Sequence, residues 1–175
     1  MNPTDAKFRE ELVSLLPKLR RFARALTRHP ADADDVVQLA VERALTRTEQ
    51  WRPGSSLLNW MLGIVRNAWI DELRVRKRRS EVFVADDNAA LQVGESPTDR
   101  DIELWSIQRG LECLPDEQRL AIALVLVEGL SYAEAAELMG VPIGTLTSRL
   151  ARGRSTLESL LVEDHAPRRM PEVNR

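Results

Sequence analysis

The sequence predicts an all-α protein with two small helical domains joined by a flexible acidic linker, the second domain containing a helix-turn-helix. Apolar residues recur at three- and four-residue spacing along most of the 175-residue chain, and no segment shows the alternation typical of a strand. Residues 80–97 break this pattern, because they are acidic, contain Gly and Pro, and keep no helical face. We therefore expect domains at residues 1–80 and 101–165, a linker at 81–100 and a frayed tail at 166–175.

Composition excludes several kinds of protein. The net charge is −2, but residues 63–80 hold six Arg or Lys and two acidic residues, while residues 81–103 hold seven acidic residues and one Arg. The local electrostatic field of each segment therefore matters more for binding than the net charge of the chain. Cys113 is the single cysteine and His29 and His165 are the histidines, so we expect no disulfide, metal site or cofactor. The longest apolar run is too short to cross a bilayer, which indicates a cytoplasmic protein without membrane insertion.

Three helices are expected in the first domain. The first carries an apolar stripe that Pro17 is expected to kink or divide in two. The second is expected to start with Asp32 as its N-cap and Asp35 in the position of a capping-box acid, and to end near Thr46. After a Pro-Gly loop, a long helix is expected over residues 56–79.

The long helix has two faces of different character. Leu57, Trp60, Met61, Ile64 and Ala68 form a stripe that we expect to pack in the core. The opposite arc is polar and cationic, which fits the binding of an opened nucleic-acid strand, while a solvated helix face is the alternative. Strand binding would combine this track with a pocket for an extruded base. The arc holds Asn59, Gly63, Arg66, Asn67, Ile70, Arg74 and Lys77.

Residues 131–154 have the pattern of a helix-turn-helix. Ser131 and Glu134 are spaced as a capping box at the start of the first helix. Gly140 suits the left-handed position that follows a helix, and Pro142 suits the entry to the next one. These signals together favour two short helices joined by a tight turn.

The second helix of this motif has two arcs. Leu146, Leu150, Gly153 and Leu157 fall within one arc, which we expect to pack. The other arc is small, hydroxylated and cationic, which fits entry into the major groove with bidentate arginine contacts to guanine. A helical hairpin with a solvated basic face is the alternative, which the capping box, Gly and Pro disfavour. The candidate DNA-binding residues are Thr145, Ser148, Arg149, Arg152 and Arg154.

Three segments resemble the extracytoplasmic-function sigma factors of bacterial RNA polymerase, in the order and separation of that family. The segment "LPDEQRLAIALVLVEGLSYAEAAELMGVPIGTLTSRLARGR" resembles the family's fourth region. The segment "ADADDVVQLAVERAL" resembles its polymerase-binding helix, and "WRPGSSLLNWMLGIVRNAWIDELRVRKRR" resembles its promoter −10 segment. The resemblance covers about residues 8–161. It implies a promoter-specificity subunit, not an enzyme, that binds core RNA polymerase, reads duplex DNA at −35 and melts DNA at −10.

The resemblance also implies residue roles. Asp35, Gln38 and Glu42 share a helix face and would dock on the clamp helices of the largest polymerase subunit. Leu39 stands where many relatives have an acidic residue, and Thr147 where they often have Arg or Lys. An anti-sigma protein would hold the factor inactive, as in a stress response. Asn67 and the loop before it would receive a flipped −10 base, so the candidate −10 residues are Asn59, Trp60, Arg66, Asn67, Arg74 and Lys77.

Other interpretations account for less of the chain. A stand-alone helix-turn-helix regulator would explain the second domain but leave the basic track of the first unexplained. A hydrolytic enzyme using Asp34 and Asp35 is disfavoured, because adjacent residues on a helix point in different directions. The acidic linker would either thread the RNA channel of the polymerase or act as a plain tether. The segment "LPKLRRFARALTRHPADADD" resembles the alphaproteobacterial general-stress subgroup.

Overall fold

Helices make up the regular structure of every part of the chain that the structure describes, which confirms the all-α prediction. The computed structural model describes residues 3–27, 29–52, 54–82 and 108–165, and no strand occurs in these ranges. The predicted linker from residue 83 onward and the tail lie outside them. The helices are α1 (Pro3–Leu26), α2 (Pro30–Thr46), α3 (Leu57–Val82), α4 (Asp116–Ile122), α5 (Tyr132–Met139) and α6 (Ile143–His165), with a 3₁₀ turn at Thr48–Gln50, a helical segment at 108–112 and a π-helical continuation of α4 at Ala123–Val127.

The first helix, α1, continues through its proline, so of the two outcomes expected for Pro17, a kink or a division, the division does not occur. Pro17 and Val13, four residues earlier, both lie on the exposed side of the helix. The Val13 carbonyl, which Pro17 deprives of its usual N–H donor, therefore lies on the side of the helix that water can reach. Leu19 and Phe22 are fully buried on the other side.

The second helix, α2, begins three residues earlier than predicted. Pro30 occupies the first turn and His29 is the N-cap, without a side-chain hydrogen bond. The fixed φ of proline suits this position, so the helix needs no carboxylate cap. Asp32 lies inside the first turn, where its Oδ1 is 2.7 Å from Nη2 of Arg76 on α3. The prediction of an Asp32 cap with Asp35 in a capping box was therefore wrong, and Asp32 joins two helices instead.

The third helix, α3, packs against both α1 and α2. A helix between two neighbours needs a wider apolar stripe than the predicted one. Trp60 and Ile64, expected in the core, are half-buried at the edge of this stripe, beside the exposed Asn67. The helix also includes the first two residues of the predicted linker and ends at Val82. Its buried residues are Leu57, Met61, Leu62, Val65, Ala68 and Trp69.

The second domain packs α6 against α4 and α5. Leu146 and Leu150 are buried, as the predicted arc requires, and Leu157 is half-buried. A Cβ at Gly153 would lie 3.1 Å from Cγ1 of Ile122, so the glycine allows the backbone of α6 to approach α4 closely. The packing arc of the helix-turn-helix is therefore confirmed, and it fixes which face of α6 points outward.

A buried arginine joins the two domains. The Arg119 residue is 3% exposed, and its guanidinium donates hydrogen bonds to the carbonyl oxygens of Leu111, Glu112 and Leu114 at 2.9–3.1 Å. Its Nη1 also donates to the carbonyl of Leu26, at the end of α1, at 2.9 Å. The planar guanidinium can serve several acceptors at once, which the single ammonium of a lysine cannot do with the same geometry.

Candidate nucleic-acid interface

The turn between α5 and α6, and the start of α5, have the structure that the sequence predicts. Ser131 Oγ accepts a hydrogen bond from the backbone N–H of Glu134 at 3.3 Å, and Glu134 Oε2 accepts one from the Ser131 N–H at 3.0 Å. Gly140 ends α5 with φ of 67°, a left-handed conformation that side chains with a Cβ adopt with difficulty. The predicted capping box and glycine turn are both confirmed. Together they orient α6 on α5.

Hydrogen bonds from Ser131 lower the pKa of Glu134 below its ordinary value of 4.5. The largest contribution comes from the Ser131 side chain, followed by its backbone N–H and the side chain of Asn59. The carboxylate form is favoured because all three groups donate to it.

Four of the five residues proposed from sequence share the outward face of α6, and the fifth, Arg154, lies about half a turn away from them. Ser148, Arg152 and Arg154 are exposed, and Thr145 is half-buried. The Ser148 hydroxyl donates to the Thr145 carbonyl at 2.9 Å, which leaves its oxygen able to accept. The face is cationic and made of short side chains between the arginines, so DNA phosphates can approach the helix closely.

Arg149 is the exception on this face. Its Nη2 lies 2.6 Å from Oε2 of Glu117 on α4, and its side chain is 20% exposed. This ion pair holds the guanidinium against its own domain. A base or phosphate contact by Arg149 would compete with Glu117.

In the first domain, the half-buried aromatic residue and the candidate base-capture residue lie in one cavity. Trp60 and Asn67 line a cavity of about 240 Å³ between α3, the end of α2 and the 3₁₀ turn. A Cβ added to Gly63 would meet nothing within 4 Å, so the wall of this cavity is open at the helix backbone. We call this space the α3 cavity. It is also lined by Arg43, Arg47, Gln50 and Ile64.

The lining residues on α2 and the turn were missed by the sequence analysis. Arg43, Arg47 and Gln50 belong to segments that the sequence associates with polymerase docking or with a loop. No periodic signal links them to α3, because the link is the packing of α2 against α3. The positive charges of Arg43 and Arg47 were the one sign in the sequence that this segment could contribute to a nucleic-acid surface.

Two of the candidate −10 residues face the second domain. Asn59 Nδ2 donates to Glu134 Oε1 at 3.0 Å, and Arg66 Nη2 donates to the Met139 carbonyl at 3.3 Å. Both acceptors belong to α5, the first helix of the helix-turn-helix. The candidates therefore divide: Trp60 and Asn67 meet in the α3 cavity, whereas Asn59 and Arg66 are engaged across the domain boundary.

The last two candidates lie further along α3. Arg74 and Lys77 line a cavity of about 550 Å³ between α3, the end of α1 and the start of α4. Lys77 is not among the residues around Asn67, whereas Arg74 also lines a second space that includes Asn67. The six candidates thus extend along the helix instead of forming one compact site.

The proposed polymerase-binding residues form an exposed patch on α2. Asp35, Gln38 and Glu42 are all exposed, and Gln38 Nε2 donates to Glu42 Oε1 at 3.0 Å. Leu39, which is 38% exposed, provides an apolar side chain beside them. The patch is polar with one apolar member, so it can contact a partner by hydrogen bonds and by packing.

Neither a metal centre nor a membrane helix was found within the described ranges. No group of three or more His, Cys, Asp or Glu in them could hold a metal ion. No helix in them is both long and apolar enough to span a bilayer.

Comparisons with known proteins match both domains. Residues 12–79 match Sigma-70 region 2, and residues 104–157 match Sigma-70, region 4. The ECF RNA polymerase sigma factor EcfG of Rhodopseudomonas palustris is 37% identical over 165 residues, which cover 94% of this chain and 90% of the relative. SigM of Mycobacterium tuberculosis is 36% identical over 147 residues, covering 82% and 71% respectively.

Solved structures of other proteins have a similar fold. The sigma factor RpoE of Bartonella quintana, crystallised with the anti-sigma factor NepR, has a TM-score of 0.76 at 33% identity, covering 90% of this chain and 98% of that one. CnrH, solved with the cytosolic domain of CnrY, has a TM-score of 0.68 at 23% identity, which shows the fold alone. Because both sigma regions match in order, a stand-alone helix-turn-helix regulator and a hydrolytic enzyme are set aside. The chain belongs to the extracytoplasmic-function sigma factors of RNA polymerase.

Proposed function

We propose that this sigma factor, bound to core RNA polymerase, reads the −35 element of a promoter as duplex DNA with α6 and captures an unpaired −10 base in the α3 cavity. The observation that carries the proposal is the cavity itself: Trp60 and Asn67 meet there, next to an open helix backbone at Gly63. No bond is made or broken in this process. The polymerase supplies the catalysis, and the sigma factor supplies recognition and strand capture.

At −35, the exposed arginines would attract the DNA by their charge and would also contact the edges of its bases. Arg152 lies on the outward face of α6 with Ser148 beside it, and the exposed Arg154 lies about half a turn away from Arg152. Arginine binds guanine edges in the major groove bidentately, and each such contact discriminates by about 1–3 kcal/mol. Arg149 joins this face when it exchanges Glu117 for DNA.

At −10, capture of a base offsets the free energy of opening the duplex. Extruding a base costs a few kcal/mol, and stacking on an aromatic side chain returns about 1–3 kcal/mol per base. Trp60 offers a half-buried aromatic surface, and the amide of Asn67 can both donate to and accept from a base edge. Together they account for strand capture without a cofactor.

Two protein partners complete the proposal. Core polymerase would contact the exposed patch of Asp35, Gln38 and Glu42. An anti-sigma protein would hold the factor inactive, as the 33% identity to a sigma factor crystallised with NepR supports. Because the polymerase acts on chromosomal DNA, the site of action would be the cytoplasm, and a stress response is the process that such control would serve.

Two variants, each a control for the other, test the two DNA contacts separately. Holoenzyme carrying Asn67→Ala should bind promoter duplex normally but open it roughly tenfold less, a loss of about 1.4 kcal/mol. Holoenzyme carrying Arg149→Ala should lose about 1–3 kcal/mol of −35 recognition, while opening of promoter already bound stays normal. Gel shift measures binding, and permanganate reactivity of −10 thymines measures opening.

Each half of the proposal can fail alone. Normal permanganate reactivity with Asn67→Ala would remove the base-capture role of the α3 cavity. Unchanged promoter choice with Arg149→Ala would remove the assignment of the α6 face. If the purified chain failed to associate with core polymerase, both −35 recognition by α6 and −10 base capture in the α3 cavity would be contradicted.

A further inference from the structure

Two arginines on the outward face of α6 differ in what surrounds them. Nη2 of Arg149 lies 2.6 Å from Oε2 of Glu117, as short as a charge-assisted hydrogen bond. Arg152, three residues further along the same face, is exposed and forms no side-chain hydrogen bond or ion pair within the described part of the chain. Arg152 can therefore meet DNA directly, whereas Arg149 must first leave a carboxylate.

The packing of the second domain does not require this ion pair. Leu146 and Leu150 of α6 are buried, and Gly153 lets the helix approach α4 closely. The Glu117 side chain is 70% exposed, and an ion pair with so exposed a member contributes little to folding stability. The stability of the fold therefore does not explain why the two side chains meet.

The helix dipole of α4 does not require the ion pair either. An acidic residue in the first turn of a helix complements the partial positive charge of that end, wherever its side chain points. Asp116 and Glu117 both lie in the first turn of α4. Asp116 Oδ1 lies 3.6 Å from Nη1 of Arg119 within α4, whereas Glu117 pairs across to α6. The dipole accounts for two acidic residues here, but not for the direction of the Glu117 side chain.

A carboxylate that must be displaced weakens the contact that displaces it. When Arg149 binds a base edge, the affinity reflects the new contact minus the ion pair with Glu117 that is lost. A bidentate contact with guanine uses two donors at once and can offset this loss, whereas a loose contact with a non-matching base cannot. The loss therefore falls on sequence-specific binding, because Arg149 stays with Glu117 on duplexes that offer no matching base.

We propose that Glu117 is a positioning residue that holds Arg149 away from DNA and thereby lowers the affinity of α6 for its −35 element. This inference rests on the proposed reading of −35 DNA by α6, and it gives a role to a residue of α4 that acts through Arg149. The wild-type factor binds −35 DNA less tightly than its recognition surface allows, so promoter choice depends more on −10 capture and on the polymerase. Removing the carboxylate makes the factor a tighter and more selective reader of −35.

The test uses holoenzyme and two fluorescein-labelled duplexes, whose binding is followed by fluorescence anisotropy. The selected duplex carries the −35 sequence that wild-type holoenzyme enriches most from a randomised library, and the scrambled duplex carries the same bases in another order. Both have a G·C-rich sequence at −10, so that strand opening contributes little to binding. Glu117→Gln removes the charge with little change of shape. Glu158→Gln removes the same charge from an exposed residue further along α6 and is the matched control.

We expect Glu117→Gln to tighten binding of the selected duplex by up to roughly fivefold, the upper end for an exposed ion pair, and to change binding of the scrambled duplex less. Glu158→Gln should change both affinities equally and only slightly, because it alters the net charge alone. In holoenzyme that also carries Arg149→Ala, Glu117→Gln should lose its effect on the selected duplex, because the arginine through which Glu117 acts is absent.

Equal tightening of both duplexes by Glu117→Gln, or a gain that persists with Arg149→Ala, overturns the inference, because either result indicates general repulsion between Glu117 and DNA. An unchanged affinity of Glu117→Gln for the selected duplex overturns it as well. If Arg149→Ala still alters promoter choice in these cases, −35 reading by α6 stands without the role of Glu117. If wild-type holoenzyme enriches no −35 sequence, the inference and the proposed −35 reading are both contradicted.

Discussion

The two surfaces that we propose to face DNA differ in how much of each is free in the isolated chain. On α6, Arg152 and Arg154 are exposed, and Arg149 is paired within its own domain. On α3, Asn59 and Arg66 donate to α5 of the other domain. The surface proposed to read duplex DNA is therefore largely available, whereas the surface proposed to capture the unpaired strand is partly covered by the second domain.

The contact between α3 and α5 is made of groups that DNA would satisfy under the proposed function. At this contact the first domain contributes a cation and an amide, and the second contributes a carboxylate and a carbonyl at a helix end. Arg21 also pairs with Glu128 through Nε and Nη2, at 3.1 and 3.2 Å. DNA phosphates offer the same kind of acceptor, so under the proposed function strand binding would compete with domain closure for Asn59 and Arg66.

The largest effect is expected from the buried link between the domains. Arg119→Met removes the guanidinium donor from four carbonyl oxygens and should lower the free energy of unfolding by about 3–5 kcal/mol. Arg119→Lys keeps the charge but not the fork of donors, so it should recover only part of the loss. Urea unfolding measures both variants. Wild-type stability of Arg119→Met would show that the domain boundary does not depend on this residue.

A smaller effect is expected from the partly exposed link. The Glu128 side chain is 1% exposed and pairs with Arg21, so Glu128→Gln should weaken domain closure. Because about 1.4 kcal/mol changes a population tenfold, the free chain should bind single-stranded DNA up to roughly tenfold more tightly. Asp34→Asn is the matched control, since the Arg20–Asp34 pair joins exposed groups within the first domain at 3.7 Å. Equal affinities for the two variants would mean that the second domain does not cover the strand surface.

The smallest effect is a pH dependence at the shared carboxylate. Hydrogen bonds from Ser131, and then from Asn59, lower the folded-state pKa of Glu134 below 4.5. Its contribution to stability is therefore present above about pH 4.5 and is lost as the pH falls through the lowered pKa. The stability difference between wild type and Glu134→Gln, followed by urea unfolding, should shrink over that window. Asn59→Ala should reduce this dependence only slightly, and a larger reduction would make the domain contact, not the cap, its main source.

Local rules in the sequence predicted the helix-turn-helix well but the first domain less well. The capping box of Ser131 and Glu134 and the turn at Gly140 depend on neighbours in sequence, so they could be recognised there. The prediction of an Asp32 cap was wrong, because α2 begins at Pro30. Pro17 does not divide α1, because it lies on the solvent-facing side of the helix, which leaves a kink as the other expected outcome. Trp60 was expected in the core, yet it lies at a cavity edge because α3 packs between two helices.

By itself, the sequence determined the all-α class, the two helical modules, the family and the cationic faces, because periodicity, capping and residue type act over a few residues. Tertiary structure decided which of those faces meet. The convergence of Arg43 and Arg47 with α3, and the engagement of Asn59 and Arg66 by α5, join residues far apart in the chain. Such contacts depend on how helices pack in space, and charge and spacing along the chain carry no record of that packing.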